Sequence, residues 1–145
     1  MTGWKQAAYL PPVKGRSCGT CTLCCYLPGV VELNKPRNTW CQHCEQGKGC
    51  KIYAERPESC RAWSCGWLIW EDIPEFMYPL HSKIMIQSPT PENKVYGFFV
   101  DPDYPDRWRE EPYYSFICKF AAAGLRERLY GTKVVVADKT YEAHL

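Results

Sequence analysis

Three observations predict an α+β fold for this chain of 145 residues. Nine of its ten cysteines fall between Cys18 and Cys65. That stretch is punctuated by Gly19, Pro28-Gly29, Pro36, Gly47 and Gly49 and shows no sustained helical or alternating period. Beyond it the pattern changes to strand-like runs around one amphipathic helix. The expected architecture is a small irregular cysteine-rich module, ordered by bound metal, packed with a short antiparallel sheet and one or two helices.

Along the chain, residues 1–16 read as an extended arm, because Pro11-Pro12 and Gly15 discourage helix. Residues 17–70 form the cysteine module, with a short strand or turn at Val30-Val31-Glu32-Leu33. From Pro57 a helix is expected: proline suits a first turn and Glu58 the positive end of the helix dipole. It would put Trp63, Trp67 and Trp70 on one face, with Cys60 beside them and Cys65 about 140° away. Cys60 and Cys65 then reach one ion only if the helix breaks near Cys65-Gly66. Residues 71–145 form an α+β extension, one compact unit with the module. Its strands are Lys83–Gln87 and Val95–Val100, joined through Ser88-Pro89-Thr90-Pro91-Glu92-Asn93, and Val134–Val136. Its helix starts near Pro112, carries Phe116, Ile117, Phe120 and Gly124 at core spacing, and stops at Gly131.

Composition sets the class. Apolar residues make up 46% and charged ones 23%, as in a folded globular protein. No apolar run approaches the roughly 20 residues of a membrane span. The opening MTGWKQAAYLPPVKGR lacks a continuous apolar core, which argues against a secretory signal and for a reducing, cytoplasmic setting.

In that setting, dense cysteine means metal more often than disulfide. The spacing agrees. Cys18-x-x-Cys21-x-x-Cys24-Cys25 is followed by Cys41-x-x-Cys44 and by Cys50, Cys60 and Cys65. A C-x-x-C turn lets two thiolates share one ion, whereas a disulfide across so few residues is usually strained or catalytic. An even count of ten leaves a disulfide scaffold open. A tetrahedral zinc or a four-iron cluster takes about four ligands each, so nine thiols exceed one site and suffice for two. Adjacent Cys24 and Cys25 point different ways and would serve two metals or one compact polynuclear cluster, unless one is simply a small buried side chain.

Charge is split. Up to Cys65 nine Lys or Arg face four Asp or Glu, a formal +5; from Gly66 nine face twelve, a formal −3; together these give the net +2. Metal-bound thiolates would offset most of the front half's charge. Arg16, Lys35, Arg37, Lys48, Lys51, Arg56 and Arg61 then read either as counter-charges to an anionic site, some donating N–H to sulfur, or as a solvated face. His43, between Cys41 and Cys44, is a candidate ligand, a donor to sulfur or a surface residue. His81 and His144 have no visible partner. Asp101, Asp103 and Asp106, interrupted by Pro102 and Pro105, read as a turn rather than a calcium site. Cys118 reads as a structural thiol. No nucleophile elbow, phosphate loop, dinucleotide fingerprint or zinc-protease motif occurs, which leaves an enzymatic role without support.

The motif Cys18-Gly-Thr-Cys21-Thr-Leu-Cys24-Cys25, with Cys50-Lys-Ile-Tyr53 and Arg56-Pro57-Glu58-Ser-Cys60-Arg61, resembles the bacterial YkgJ-like CxxCxxCC cysteine-cluster family. The match covers roughly residues 17–68. The insert from Lys35 to Cys44 resembles a subgroup of small stand-alone members. The resemblance implies chelation of zinc or iron by Cys18, Cys21, Cys24, Cys25, Cys44, Cys50 and Cys60, with Cys41 and Cys65 matching the subgroup. A larger relative, a flagellin lysine methylase, carries a similar cluster, which brings in iron–sulfur occupancy; nothing else here resembles that enzyme.

The expected function is a soluble metal-binding protein whose cysteines hold zinc, or iron, in one or two sites flanked by His43, Arg56 and Arg61. The alternatives are an iron–sulfur redox module, with a 4Fe-4S cluster as one form, and a zinc-dependent nucleic-acid or protein-interaction module. The near-zero net charge argues against nucleic acid as partner. Metal ions are the expected partners, no membrane is expected, and the sequence names no protein partner.

Overall fold

Residues 11–89, 92, 94–127 and 130–142 are described by a computed structural model. Residues 1–10 of the expected arm, Thr90, Pro91 and Asn93 of the connector, and His144 lie outside the described residues. Gly124 lies in a helix but among the residues whose side chains are not described.

Glycine and proline keep the first third of the chain in turns. Single 3-10 turns occur at Leu23–Cys25, Val31–Leu33 and Tyr53–Glu55. The second is a turn closed by an antiparallel bridge between Val30 and Lys35. A two-stranded antiparallel ladder, β1 (Cys44–Glu45) with β2 (Gly49–Cys50), sets Cys44 opposite Cys50. Gly47 at φ +77° allows its reversal, in the left-handed region that a side chain disfavours.

Helix α1 (Glu58–Ala62) begins after Pro57 and ends early, because Trp63 is extended (φ −101°, ψ 140°) and so is Cys65 (φ −66°, ψ 137°). Helix α2 (Gly66–Ile69) then restarts. The tryptophan stripe expected on one continuous helix is therefore broken. Trp63 packs with Leu23 and Leu27, whereas Trp67 and Trp70 pack on the main core. Gly66 makes the restart possible: a Cβ there would come within 2.8 Å of the Trp70 ring and 2.9 Å of Ile86 Cγ2. Helix α3 (Pro79–Ser82) follows, with proline in its first turn.

The rest is one layer of sheet and one long helix. Strands β3 (Ile84–Gln87) and β4 (Val95–Val100) are antiparallel; helix α4 (Tyr113–Glu127) crosses over; β5 (Gly131–Val136) lies parallel to β4, and β6 (Lys139–Glu142) antiparallel to β5. The order is β3-β4-β5-β6. The molecule is α+β, but its sheet is mixed and four-stranded where two or three antiparallel strands were expected. A parallel neighbour requires a long crossover, and α4 with its flanking turns supplies one. Gly131, expected as a helix stop, opens β5 instead.

Alternation along the strands gives the sheet two covered faces. Ile84, Ile86, Phe98, Val100, Val134 and Val136 meet Ile117 and Phe120 of α4. Each such side chain, once buried, contributes about 1.5–3 kcal/mol. On the opposite face Met85 and Phe99 meet Leu23, Leu27, Cys21, Tyr26 and Trp63. The cysteine-rich segment thus packs on one side of the sheet and the helix on the other. Arg16 joins them. Its side chain is only 7% exposed and donates to the carbonyls of Trp67 (2.5 Å), Trp70 (3.2 Å) and Ile73 (2.6 Å) and to Glu75 (3.1 Å).

Candidate functional site

Short-range turns gather the cysteines. The Cys21 amide donates to the Cys18 carbonyl at 2.9 Å, closing the first C-x-x-C turn, and the next turn runs from Cys25 N–H to Thr22 O. The Cys41 amide donates to Cys25 O at 2.9 Å, and Cys44 N–H to Cys41 O at 3.1 Å. Helix α1 presents Cys60. Its start is tied to the 31–33 turn by Glu32, which accepts from the Ser59 amide (3.1 Å) and hydroxyl (2.8 Å). Cys65 stands immediately before α2.

Cys18, Cys21, Cys24, Cys25, Cys41, Cys50, Cys60 and Cys65 all line one cavity of about 740 Å³. Its floor includes Met85 and Gln87, the side chains that β3 points away from α4, together with Trp63 and Trp67. Tyr78, its ring tilted against Trp67, fixes the Cys18 end by donating to the Cys18 carbonyl at 2.6 Å. Cys44 stands behind the wall in hydrogen-bond contact with Cys25. The ten thiols are unbridged, and Cys18 and Cys24 are exposed.

A hydrogen-bonded row runs through the wall. The Thr22 hydroxyl donates to Cys44, the Cys44 thiol to Cys25, and the Cys25 thiol to Cys24. Thr22 is buried and in turn accepts from the Gly47 amide at 3.2 Å. Cys25 is held far above the ordinary thiol range, first by its bond to Cys24 and then by burial. Burial pushes Cys44 up to about 12, with its bond to Cys25 adding to the rise. Burial chiefly, with Cys21 adding, lifts Cys65 to about 11, against the pull of the Trp67, Leu68 and Ile86 amides. Burial also raises Cys18, Cys21 and Cys60, with Arg56 opposing the rise at Cys18 and Cys60.

The charged residues of the wall are all cationic. Lys35, Lys48, Arg56 and Arg61 line the cavity, and among the described residues no Asp, Glu or His does. Lys35 is buried and donates to the carbonyls of Tyr26 (3.1 Å), Pro28 and Pro36 (3.3 Å). A buried ammonium without a carboxylate partner is costly unless hydrogen-bonded and balanced. Burial lowers the Lys35 pKa from the usual lysine range, and the thiols of Cys41, Cys25, Cys60 and Cys24 oppose that fall when ionised.

The flanking residues expected beside the cysteines divide: Arg56 and Arg61 line the cavity and His43 does not. The backbone amide of His43 donates to Cys41 Sγ at 3.4 Å, but its ring lies against the Gln42 amide and outside the cavity. Arg61 pairs with Glu58 at 2.7 Å. Arg56 lies on the Tyr53 ring, 4.0 Å from its centroid. Thr22 was missed by the sequence reading, and Lys35 stood there only among seven undifferentiated cations. Asp101 and Asp103 form a turn, Asp103 N–H donating to Asp101 Oδ1 at 2.9 Å. Cys118, on α4, accepts from the Tyr114 hydroxyl one turn earlier.

For a soft metal the donor chemistry fits: thiols are its preferred ligands. The placement is that of a wall, however, not of a closed site. Among the described residues no three Cys, His, Asp or Glu side chains converge closely enough to hold one ion. Among them, too, no helix is long and apolar enough to cross a membrane. Comparison with family models, with curated proteins and with solved structures gives no match.

Proposed function

We propose that this chain is a soluble, cytoplasmic metal-binding protein that holds zinc or iron among the thiols of the cavity. One observation carries the reading: eight cysteines, separated by as many as 47 positions (65 − 18), line the same cavity. A second supports it. Among the described residues the wall offers four cations and no carboxylate, the charge balance that suits thiolates bound to metal. The resemblance to the YkgJ-like cluster motif points the same way. Zinc is the first choice because C-x-x-C turns accept it and thiolate tetrahedra need no assembly machinery. Iron in a thiolate-bound cluster is the second reading, favoured by the sharing of one cavity by all eight thiols rather than their division between two nests. A metal would supply binding energy that orders the turn-rich segment. The chain's own residues would then hold it, keep the floor dry with Trp63, Trp67 and Met85, and balance its charge with Lys35.

Elemental analysis with an absorption spectrum on anaerobically purified protein tests this. Colourless protein with one or two zinc per chain supports the first reading. A brown protein with iron and acid-labile sulfide supports the second. Metal-free protein that stays folded overturns both.

A further inference from the structure

The four cations of the cavity wall are not equivalent. Lys35 spends its three N–H groups on backbone carbonyls. Lys48 lies 3.9 Å from Glu45 and Arg61 2.7 Å from Glu58. Arg56 makes no ion pair among the described residues. Its Nε donates to the Tyr53 carbonyl at 3.1 Å and its guanidinium stacks on the Tyr53 ring. Those two contacts hold the plane in place, and among the described residues no carboxylate pairs with its terminal nitrogens. Such a fork matches the two oxygens of a carboxylate or a phosphate.

The surroundings favour an anion with an apolar body. Among the described residues no carboxylate lines the cavity to compete for the fork, and Ile52, Leu33, Trp63 and Leu68 supply apolar wall. A cavity of about 740 Å³ is far larger than a metal ion needs. It lies inside the roughly 300–1,000 Å³ range of small-molecule sites, which are mostly apolar with a few placed polar groups. Tyr53 is 66% exposed, so the fork is reachable from solvent.

We propose that the cavity is also a binding site for a small organic anion, a carboxylate or phosphate on an apolar body, whose head is taken by the Arg56 fork and whose body lies on the apolar wall. The site does not rest on the metal reading.

Calorimetric titration of the full chain as purified tests it, using 3-phenylpropionate, phenyl phosphate and the neutral 3-phenylpropan-1-ol as probes, with metal content measured on the same sample. At least one anion should bind, and the alcohol at least about tenfold more weakly, the worth of a charge-assisted hydrogen bond. Whichever anion binds more tightly identifies the head group. Arg56→Gln should erase the difference between anion and alcohol. Arg56→Lys should keep the charge preference but weaken it, since an ammonium has no fork. Equal binding of anion and alcohol, no binding of either anion, or a preference that survives Arg56→Gln overturns the proposal. Anion binding by a metal-free sample sinks the metal reading and leaves this one standing.

Discussion

Arg16 donates to the Trp67 carbonyl at 2.5 Å across 51 positions of sequence and also lies over the Trp67 ring, 4.8 Å from its centroid. The contact fastens the segment that leads into Cys18 to the helix that follows Cys65. Removing the guanidinium strands three carbonyls and frees the arm. Arg16→Met is expected to cost about 2–4 kcal/mol, as loss of a buried charged donor does. Arg16→Lys should recover only part, because an ammonium cannot span the same fan of acceptors. Urea unfolding midpoints of the three proteins decide it. A lysine variant as stable as the parent would mean the clasp contributes charge and not geometry.

Thr22 connects the backbone of the β1–β2 turn to the thiol row. Thr22→Val keeps the shape but leaves the Gly47 amide to water and takes the hydroxyl donor from Cys44. The stability loss should be about 1 kcal/mol. The sharper sign is chemical. The Thr22 bond favours the Cys44 thiolate, so losing it raises that thiol further and slows its alkylation. Mass spectrometry of iodoacetamide labelling, with Cys118 as internal reference, would show this. Thr22→Ser should label like the parent, and a valine variant that does so too would remove Thr22 from the row.

How much of this was legible in the chain divides along physical lines. The strands at Val95–Val100 and Val134–Val136 and the helix around Phe116, Ile117 and Phe120 announce themselves because their apolar spacing matches a backbone period. The parallel pairing of β4 with β5 has no local signature, since it depends on where α4 returns the chain. The short β6, Lys-Thr-Tyr-Glu, carries too little apolar content to stand out. At the site, the spacing brought out the cysteines, and the cavity gathers eight of them. It said nothing about Lys35 being buried under carbonyls or Arg56 lying on Tyr53, because those positions are set by contacts between turns. The broken tryptophan stripe is the instructive failure. A 3.6-residue period runs through residues 63–70, yet Gly66 must meet Ile86 of β3, and that packing overrides the local preference.

Asp101 is 7% exposed, accepts from the Asp103 amide at 2.9 Å and is held above the ordinary carboxylate range, chiefly by burial. A carboxyl raised on folding binds its proton more tightly in the folded state. Its stabilising contribution is full below the unfolded value of about 4 and is lost as pH rises through the folded value. Asp101→Asn keeps an oxygen for the Asp103 amide and removes the titration. The variant should therefore match or exceed the parent's stability at pH 7 and lose that advantage below about pH 4. Melting temperatures of both proteins from pH 3 to pH 7 test the sign. A parent that gains on the variant as pH rises would show that the Asp103 amide and Lys83 together outweigh burial.

Cys21, Cys60 and Cys118 separate the metal reading from a generic need for thiols. Cys21 and Cys60 line the cavity from opposite ends of the cysteine-rich segment; Cys118 sits one helical turn from Tyr114 and outside the cavity. Cys21→Ser and Cys60→Ser should each lower metal content and, because binding energy is folding energy for a turn-rich segment, lower the melting temperature as well. Cys118→Ser should leave metal content unchanged. If the ligands act as a set, the double variant at Cys21 and Cys60 should lose little more than either single one, since a site missing one thiolate is already broken. Additive losses would instead place the two residues in separate sites, and full metal content in either single variant would take that residue out of the ligand set.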